Sequence, residues 1–158
     1  MHPNAQLLQN FYASFARRDA EGMLACYAHG VKFSDPVFVD LDDGEARAMW
    51  RMLCSRASDL KIAANNIAAD DQHGSADWVA DYTFSRSNRP VHNLVHAEFE
   101  FSGGLISAHR DSFNLWRWAG MALGPTGKLL GWLPPFQEKI RANARDGLHA
   151  HMQRGMND

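Results

Sequence analysis

The chain has 158 residues and a formal net charge of -2, and 46% of its residues are hydrophobic. This length predicts one domain, residues 1–158, around a single core, and the composition excludes a disordered chain. The charge balance argues against a nucleic-acid partner, and the sequence lacks the roughly 20-residue apolar run of a membrane span. Its start, MHPNAQLLQNFY, does not resemble a secretory signal, and Cys26 and Cys54 are its two cysteines. We therefore expect a reduced, cytoplasmic protein.

The first half of the chain has the periodicity of helices. One helical face is predicted to hold Leu7, Leu8, Phe11, Tyr12 and Phe15. A short second helix is predicted between Asp19, a suitable N-cap, and Gly30, with Tyr27 on its apolar side. A third helix is predicted over residues 44–58, and its inward face would hold Ala46, Met49, Trp50, Leu53 and Ala57.

An extended segment is predicted between the second and third helices. In VKFSDPVF, residues 31–38, alternate side chains share a face, and Asp35 falls in the same phase as Val31 and Phe33. Pro36 restricts Asp35 to the extended region of backbone space. The segment therefore predicts a strand that carries a carboxylate near its end.

The second half of the chain has the alternation of an antiparallel sheet. Strands are predicted over residues 60–70, 75–85, 91–101 and 105–113, and SGG forms the hairpin between the last two. The apolar phase of the third strand holds Asn93, Val95, Ala97, Phe99 and Phe101. Residues 119–158 are predicted to be a C-terminal helical extension. The order of elements indicates an α+β fold, in which a curved, mainly antiparallel sheet wraps around the N-terminal helices and encloses a pocket.

The last strand carries titratable side chains in LISAHRDSF. His109 and Asp111 are two residues apart, so both project from one face with Cα atoms roughly 6.6 Å apart. An imidazole and a carboxylate at this spacing can form a hydrogen bond and act as an acid–base unit. Arg110 would point to the opposite face, and Asp35 would add a second carboxylate from another wall. The alternative is that these groups form a strand end bonded into the C-terminal segment.

The order of elements, the SDPV motif and the block GLISAHRDSFNLWRWAGMALG resemble the NTF2-like superfamily. The members most similar to this chain are ketosteroid isomerases, SnoaL-like polyketide cyclases and limonene-1,2-epoxide hydrolase. The resemblance covers residues 5 to about 120. It implies a cone-shaped α+β fold with a pocket in the cone and often a homodimer.

The resemblance implies roles for two aspartates. Asp35 in FSDPVF matches the proton-shuttling base of the ketosteroid isomerases, and Asp111 in HRDSF matches a cavity aspartate of the epoxide hydrolase. The chain departs from both patterns elsewhere. Phe11 and Ala97 stand nearest to the isomerase oxyanion donors, and Val79 occupies the place of the hydrolase arginine. Neither literal activity is therefore expected.

Two functions remain open at this point. The first is an acid–base enzyme of isomerase, cyclase or epoxide hydrolase type, with Asp35, His109 and Asp111 as catalytic residues. The second is a non-catalytic ligand-binding or dimerisation module of the same fold. In both, a small hydrophobic ligand would occupy a pocket lined by Tyr12, Phe15, Trp50, Tyr82, Asn93, Phe113 and Trp116.

No cofactor, metal or membrane partner is expected. His92 and His96 are four residues apart on a strand, roughly 13 Å, which is too far to share a metal ion. A single curved sheet cannot cover both faces with three helices, so a homodimer through the outer face is expected.

Overall fold

The computed structural model of the chain describes residues 1–56 and 58–157. The helices are α1 (Pro3–Ala16), α2 (Ala20–Leu24), α3 (Asp43–Arg56), α4 (Leu115–Leu123), α5 (Pro125–Leu130) and α6 (Pro134–Asn157). The strands are β1 (Tyr27–Ser34), β2 (Lys61–Ala69), β3 (His73–Phe84), β4 (Arg89–Ser102) and β5 (Leu105–Ser112). Ala57, which was expected on the inner face of the third helix, lies outside the described residues.

The strands form one sheet in the order β1-β5-β4-β3-β2. β1 runs parallel to β5, and the other neighbouring pairs are antiparallel. The hairpin between β4 and β5 turns at Gly103 and Gly104, whose φ angles of 60° and 78° are readily available to glycine. The predicted α+β class, with a curved mixed sheet and helices before and after it, is confirmed.

Side-chain burial alternates along β4, as the sequence predicted. Every second residue from Val91 to Phe101 is buried, and the residues between them are exposed. Because successive side chains of a strand point to opposite faces, the predicted apolar phase faces the helices. The outer face carries Leu94 together with His92 and His96.

Two predicted boundaries are wrong. The second helix ends at Leu24, and Tyr27 begins β1 instead of continuing the helix. Gly30 has a positive φ of 79°, which suits a helix end but here accompanies irregular pairing of β1 between Tyr27 and Lys32. The predicted strand over residues 31–38 stops at Ser34.

The C-terminal helices begin earlier than residue 119. The side chain of Asn114 accepts a hydrogen bond from the backbone N–H of Arg117 and caps α4, which starts at Leu115. This cap satisfies a free donor of the first turn, so the chain turns helical directly after β5. The two tryptophans that follow β5 therefore lie on a helix.

The N-terminal helices pack on the inner face of the sheet. Leu8 and Phe11 of α1 and Met49 and Trp50 of α3 are each 2% exposed or less. The long helix α6 packs against α3 and buries Leu148 completely. Within residues 1–56 and 58–157, none of the helices has the length and apolar character needed to cross a membrane.

Candidate functional site

A cavity of about 340 Å³ lies between the inner face of the sheet and the helices. Strands β3, β4 and β5, the segment after β1, and helices α3, α4 and α6 contribute to its walls. Most of the wall is aromatic or aliphatic, which is typical of sites for small apolar ligands. Asp35 and Asp111 are the two carboxylates among the described residues that line it.

A second, more open groove of about 1160 Å³ lies elsewhere on the molecule. Exposed charges such as Lys32, Glu98 and Arg110 line it, whereas Asp35 and Asp111 do not. The outward placement of Arg110 agrees with the period of two along β5. The smaller, apolar cavity is therefore the candidate site.

His109 and Asp111 form the predicted pair on β5. The distance from His109 Nε2 to Asp111 Oδ1 is 2.9 Å. Both residues are buried, with 2% and 4% exposure. Trp78 Nε1 also donates to Asp111 Oδ1, at 3.3 Å. Two N–H donors on one oxygen fix the carboxylate while its other oxygen stays available.

A chain of hydrogen bonds behind this pair determines which nitrogen of His109 carries hydrogen. Trp50 Nε1 donates to the hydroxyl oxygen of Tyr27, at 2.8 Å. The Tyr27 hydroxyl lies 2.8 Å from His109 Nδ1. The Tyr27 hydroxyl has one hydrogen to donate, and among the described residues His109 Nδ1 is the acceptor within its reach, so this hydrogen points to Nδ1. Nδ1 is then an acceptor, and Nε2 carries the hydrogen that is donated to Asp111.

His109 does not line the cavity, because its side chain is completely buried behind Asp111. The aromatic rings of Phe33, Phe99 and Trp50 surround the imidazole, with centroid distances of 5.0, 4.4 and 6.1 Å. At this position the imidazole can orient the carboxylate of Asp111, but it does not contact a ligand in the cavity.

Asp35 reaches the cavity from the turn after β1. Its Oδ1 accepts from the backbone N–H groups of Val37 and Phe38, at 2.7 and 2.6 Å. This is the local bonding by which aspartate forms turns. Arg141 of α6 donates from Nε to the carbonyl oxygen of Pro36, at 2.9 Å, and ties the turn to that helix.

The environment of Asp35 strongly disfavours its charged form. Burial raises the pKa of this carboxyl to about 7, and the negative charge of Asp111 adds to the effect, while the N–H groups of Phe38 and Val37 oppose it. Two carboxylates in one apolar cavity resist simultaneous ionisation. A site of this kind can hold one proton near neutral pH.

Five of the seven predicted pocket residues line the cavity: Phe15, Trp50, Tyr82, Asn93 and Phe113. Tyr12 and Trp116 do not. Tyr12 is 4% exposed and packs against Trp78, and its buried hydroxyl has no hydrogen-bond partner within the described residues. Trp116 is 49% exposed and donates from Nε1 to the backbone oxygen of Lys128.

Two polar groups of the cavity can still donate to a ligand. The Tyr82 oxygen accepts from Trp118 Nε1 at 2.9 Å, which leaves the Tyr82 hydrogen free to donate. Asn93 is 9% exposed, and its side-chain amide has no hydrogen-bond partner among the described residues. Trp118 lines the cavity in the place where Trp116 was expected.

Sequence reasoning missed three residues that support the pair. Trp78 bonds Asp111 from a position 33 residues earlier in the chain. Tyr27 was assigned to a helix, and Trp50 was treated as pocket wall without its N–H bond. Local periodicity does not reveal hydrogen bonds between residues that are so far apart in the chain.

The histidines of β4 face outward and pair with β3. His92 Nδ1 lies 2.5 Å from Asp81 Oδ1, and His96 Nδ1 lies 2.7 Å from Asp77 Oδ1. In the part of the chain that the structure describes, His, Cys, Asp and Glu side chains do not form a cluster of three or more that could hold a metal ion.

The fold is shared with many solved structures. An epoxide hydrolase from M. tuberculosis, described as LEH-like, is 16% identical, with a TM-score of 0.64 over 82% of this chain and 96% of that chain. A protein from Catenulispora acidiphila with a ketosteroid isomerase-like fold, in complex with trimethylamine, is 11% identical, with a TM-score of 0.66 over 81% and 97%. TerC co-crystallised with polyporic acid is 16% identical, with a TM-score of 0.60 over 71% and 92%. At these identities the likeness establishes the fold.

No curated protein sequence matches the chain significantly. The family model of the SnoaL-like domain matches residues 8–109, which include most of α1, the Asp35 turn and most of the sheet. This match spans well over half of the chain. The chain therefore belongs to the SnoaL-like domain family, whose fold its structure also has.

Proposed function

We propose that the protein is an enzyme that binds a hydrophobic small molecule in the cavity and transfers a proton on it. Asp111 acts as the base and Asp35 as the acid. The observation that carries this proposal is the presence of two carboxylates in one apolar cavity, one of them with its pKa raised to about 7. A carboxyl group whose pKa lies near neutrality is suited to acid–base catalysis.

Asp111 is suited to accept a proton at a fixed position. Trp78 and His109 both bond Oδ1, so the geometry leaves Oδ2 for the substrate. Tyr27 and Trp50 hold the imidazole in the form that donates to Asp111. An oriented base avoids the entropy loss of aligning a mobile side chain at the moment of reaction.

Asp35 is suited to donate a proton at neutral pH or below. The backbone bonds of the turn occupy Oδ1, and Oδ2 carries the hydrogen. The free hydrogen of Tyr82 and the amide of Asn93 add neutral donors for a substrate oxygen. These donors take the place of the isomerase oxyanion donors that the chain lacks. Isomerisation, cyclisation and epoxide opening can each proceed by general acid–base catalysis with such groups.

The structural neighbours support a ligand-binding cavity. Trimethylamine accompanies one of them and polyporic acid another. Both are small organic molecules, and the apolar walls here suit a small organic ligand. A hydrophobic small molecule is therefore the proposed partner.

The experiment is a Kemp elimination with 5-nitrobenzisoxazole, a neutral aromatic probe. A base removes the proton on carbon 3, the N–O bond breaks, and 2-cyano-4-nitrophenolate forms. We expect the protein to accelerate this reaction over acetate at equal concentration, and Asp111→Asn to remove the acceleration. General-base catalysis contributes about 100-fold to 10,000-fold.

Asp81→Asn is the matched control, because Asp81 lies on β3 and bonds His92 on the outer face. This variant should keep the full rate. A protein that binds the probe but gives equal rates before and after the Asp111→Asn substitution would be the non-catalytic binding module. A protein that neither binds the probe nor accelerates its elimination would contradict the proposal altogether.

We also propose a homodimer through the outer face of the sheet. Leu94 is 47% exposed at the centre of that face, between His92 and His96. An exposed leucine on a sheet face that the helices leave uncovered suits contact with a second copy.

A further inference from the structure

The rim of the cavity differs in charge from its interior. The lining residues that are exposed are Arg56, Thr83, Ser85, Arg86 and Asn143. Two of these five are cationic, and the rest are neutral. The carboxylates of the cavity, Asp35 and Asp111, lie at less exposed positions. The cavity therefore runs from a positively charged opening to a carboxylate-bearing interior.

The two rim arginines are not engaged by the protein. Within the described residues, the guanidinium groups of Arg56 and Arg86 donate no hydrogen bond and form no ion pair. Other arginines do so: Arg47 and Arg51, for example, bond Asp43 and Glu21. A guanidinium group without a partner can offer its paired N–H donors to an anion.

The positive charge around Arg56 is reinforced by α6. Burial lowers the pKa of His151, and the charges of Arg56 and Arg154 lower it further. The part of this depression that Arg56 and Arg154 cause reflects their positive charge at His151. Thr83, in contrast, already bonds the carboxylate of Asp59 through its hydroxyl and its backbone N–H. Among the exposed lining residues that the structure describes, the two arginines are the ones that carry charge.

We infer that the ligand of this cavity is a hydrophobic molecule with one anionic group, a carboxylate or phosphate, which Arg56 and Arg86 bind at the rim. This inference rests on the proposed function, because it concerns the same cavity. The interior carboxylates repel an anion, so the charged end stays at the rim. The apolar body then fills the cavity, and its far end lies beside Asp111.

The test uses two fluorescent probes of nearly the same shape. 1-Anilinonaphthalene-8-sulfonate carries a sulfonate, and N-phenyl-1-naphthylamine is uncharged. We expect the double variant Arg56→Gln/Arg86→Gln to bind the sulfonate probe about fivefold more weakly, as befits two exposed ion pairs. Binding of the uncharged probe should not change. Added salt should weaken binding of the sulfonate probe to the parent protein.

The matched control is Arg117→Gln/Arg145→Gln. Both arginines are exposed, neither lines the cavity, and the change in net charge is the same. This control should bind both probes like the parent, and equal melting temperatures would show that all three proteins are folded.

Each other outcome overturns the inference. If the rim variant binds both probes equally weakly, the arginines support the shape of the cavity and not an anion. If the sulfonate probe binds the two double variants with equal affinity, the rim does not select anions. The same conclusion follows if the parent protein binds the uncharged probe but not the sulfonate probe. If neither probe binds the parent, the proposed function fails as well.

Discussion

Replacement of Asp35 by asparagine should stabilise the protein, increasingly so as the pH rises. In the folded protein the pKa of Asp35 is raised from 3.8 to about 7. Its folded pKa therefore lies above its unfolded pKa, so full stability is present below pH 4 and is lost as the pH rises toward 7. Each pH unit in that window lowers the free energy of unfolding by about 1.4 kcal/mol, which gives about 4 kcal/mol in total.

The Asp35→Asn variant cannot ionise at this position and should escape this loss. Its side-chain oxygen can still accept from Val37 and Phe38, so the turn is kept. Urea unfolding between pH 4 and pH 8 measures the difference between variant and parent. We expect that difference to grow across this range by about 4 kcal/mol, equivalent to roughly 10 °C in melting temperature for a chain of this size.

Asp70→Asn is the matched control. Asp70 accepts from the N–H groups of Gln72 and His73 in an equivalent turn, but at an exposed position where those bonds lower its pKa. The pH dependence at Asp70 is therefore opposite to that at Asp35. The Asp70 carboxylate contributes stability above its unfolded pKa, and this contribution is lost as the pH falls. A difference between the parent and Asp35→Asn that does not change with pH would refute the reasoning about the buried carboxyl.

Three further predictions concern packing and assembly. Leu148→Ala should lower the free energy of unfolding in a urea titration by about 2–5 kcal/mol, because the side chain of Leu148 is fully buried. Leu129→Ala is the control, because Leu129 is 72% exposed and its replacement should leave the free energy of unfolding nearly unchanged. Tyr27→Phe should lower it by about 1–3 kcal/mol, because the buried N–H of Trp50 loses its acceptor, and thermal unfolding measures this loss. Leu94→Asp should convert the proposed dimer into a monomer in light scattering, and a parent that is already monomeric at micromolar concentration would contradict the proposed assembly.

The sequence predicted much of the fold, because side-chain burial alternates regularly along β4 and at the end of β5. The alternation along residues 91–101 identified the inner face of β4, and the same rule placed His109 and Asp111 together with Arg110 outside. Regular elements reveal their orientation through local pattern. This is why the pair on β5 could be predicted without knowledge of its neighbours.

The remaining features depend on contacts that local pattern does not encode. The bond from Arg141 to the Pro36 oxygen joins residues 105 positions apart. Trp116 and Trp118 would share a face on a strand, but on α4 they point in different directions, and Trp118 is the one that lines the cavity. The capping residue Asn114 marks the start of this helix.

The most direct test of the proton-transfer claim is the pH dependence of the Kemp elimination in the parent protein and in Asp35→Asn. If Asp111 is the base and Asp35 the acid that donates a hydrogen bond to the departing oxygen, the parent rate should fall as the pH rises through about 7, since Asp35 then loses its proton. The Asp35→Asn variant should be slower and should lack this fall. A parent rate that instead rises through pH 7, or that survives Asp111→Asn, would contradict the account.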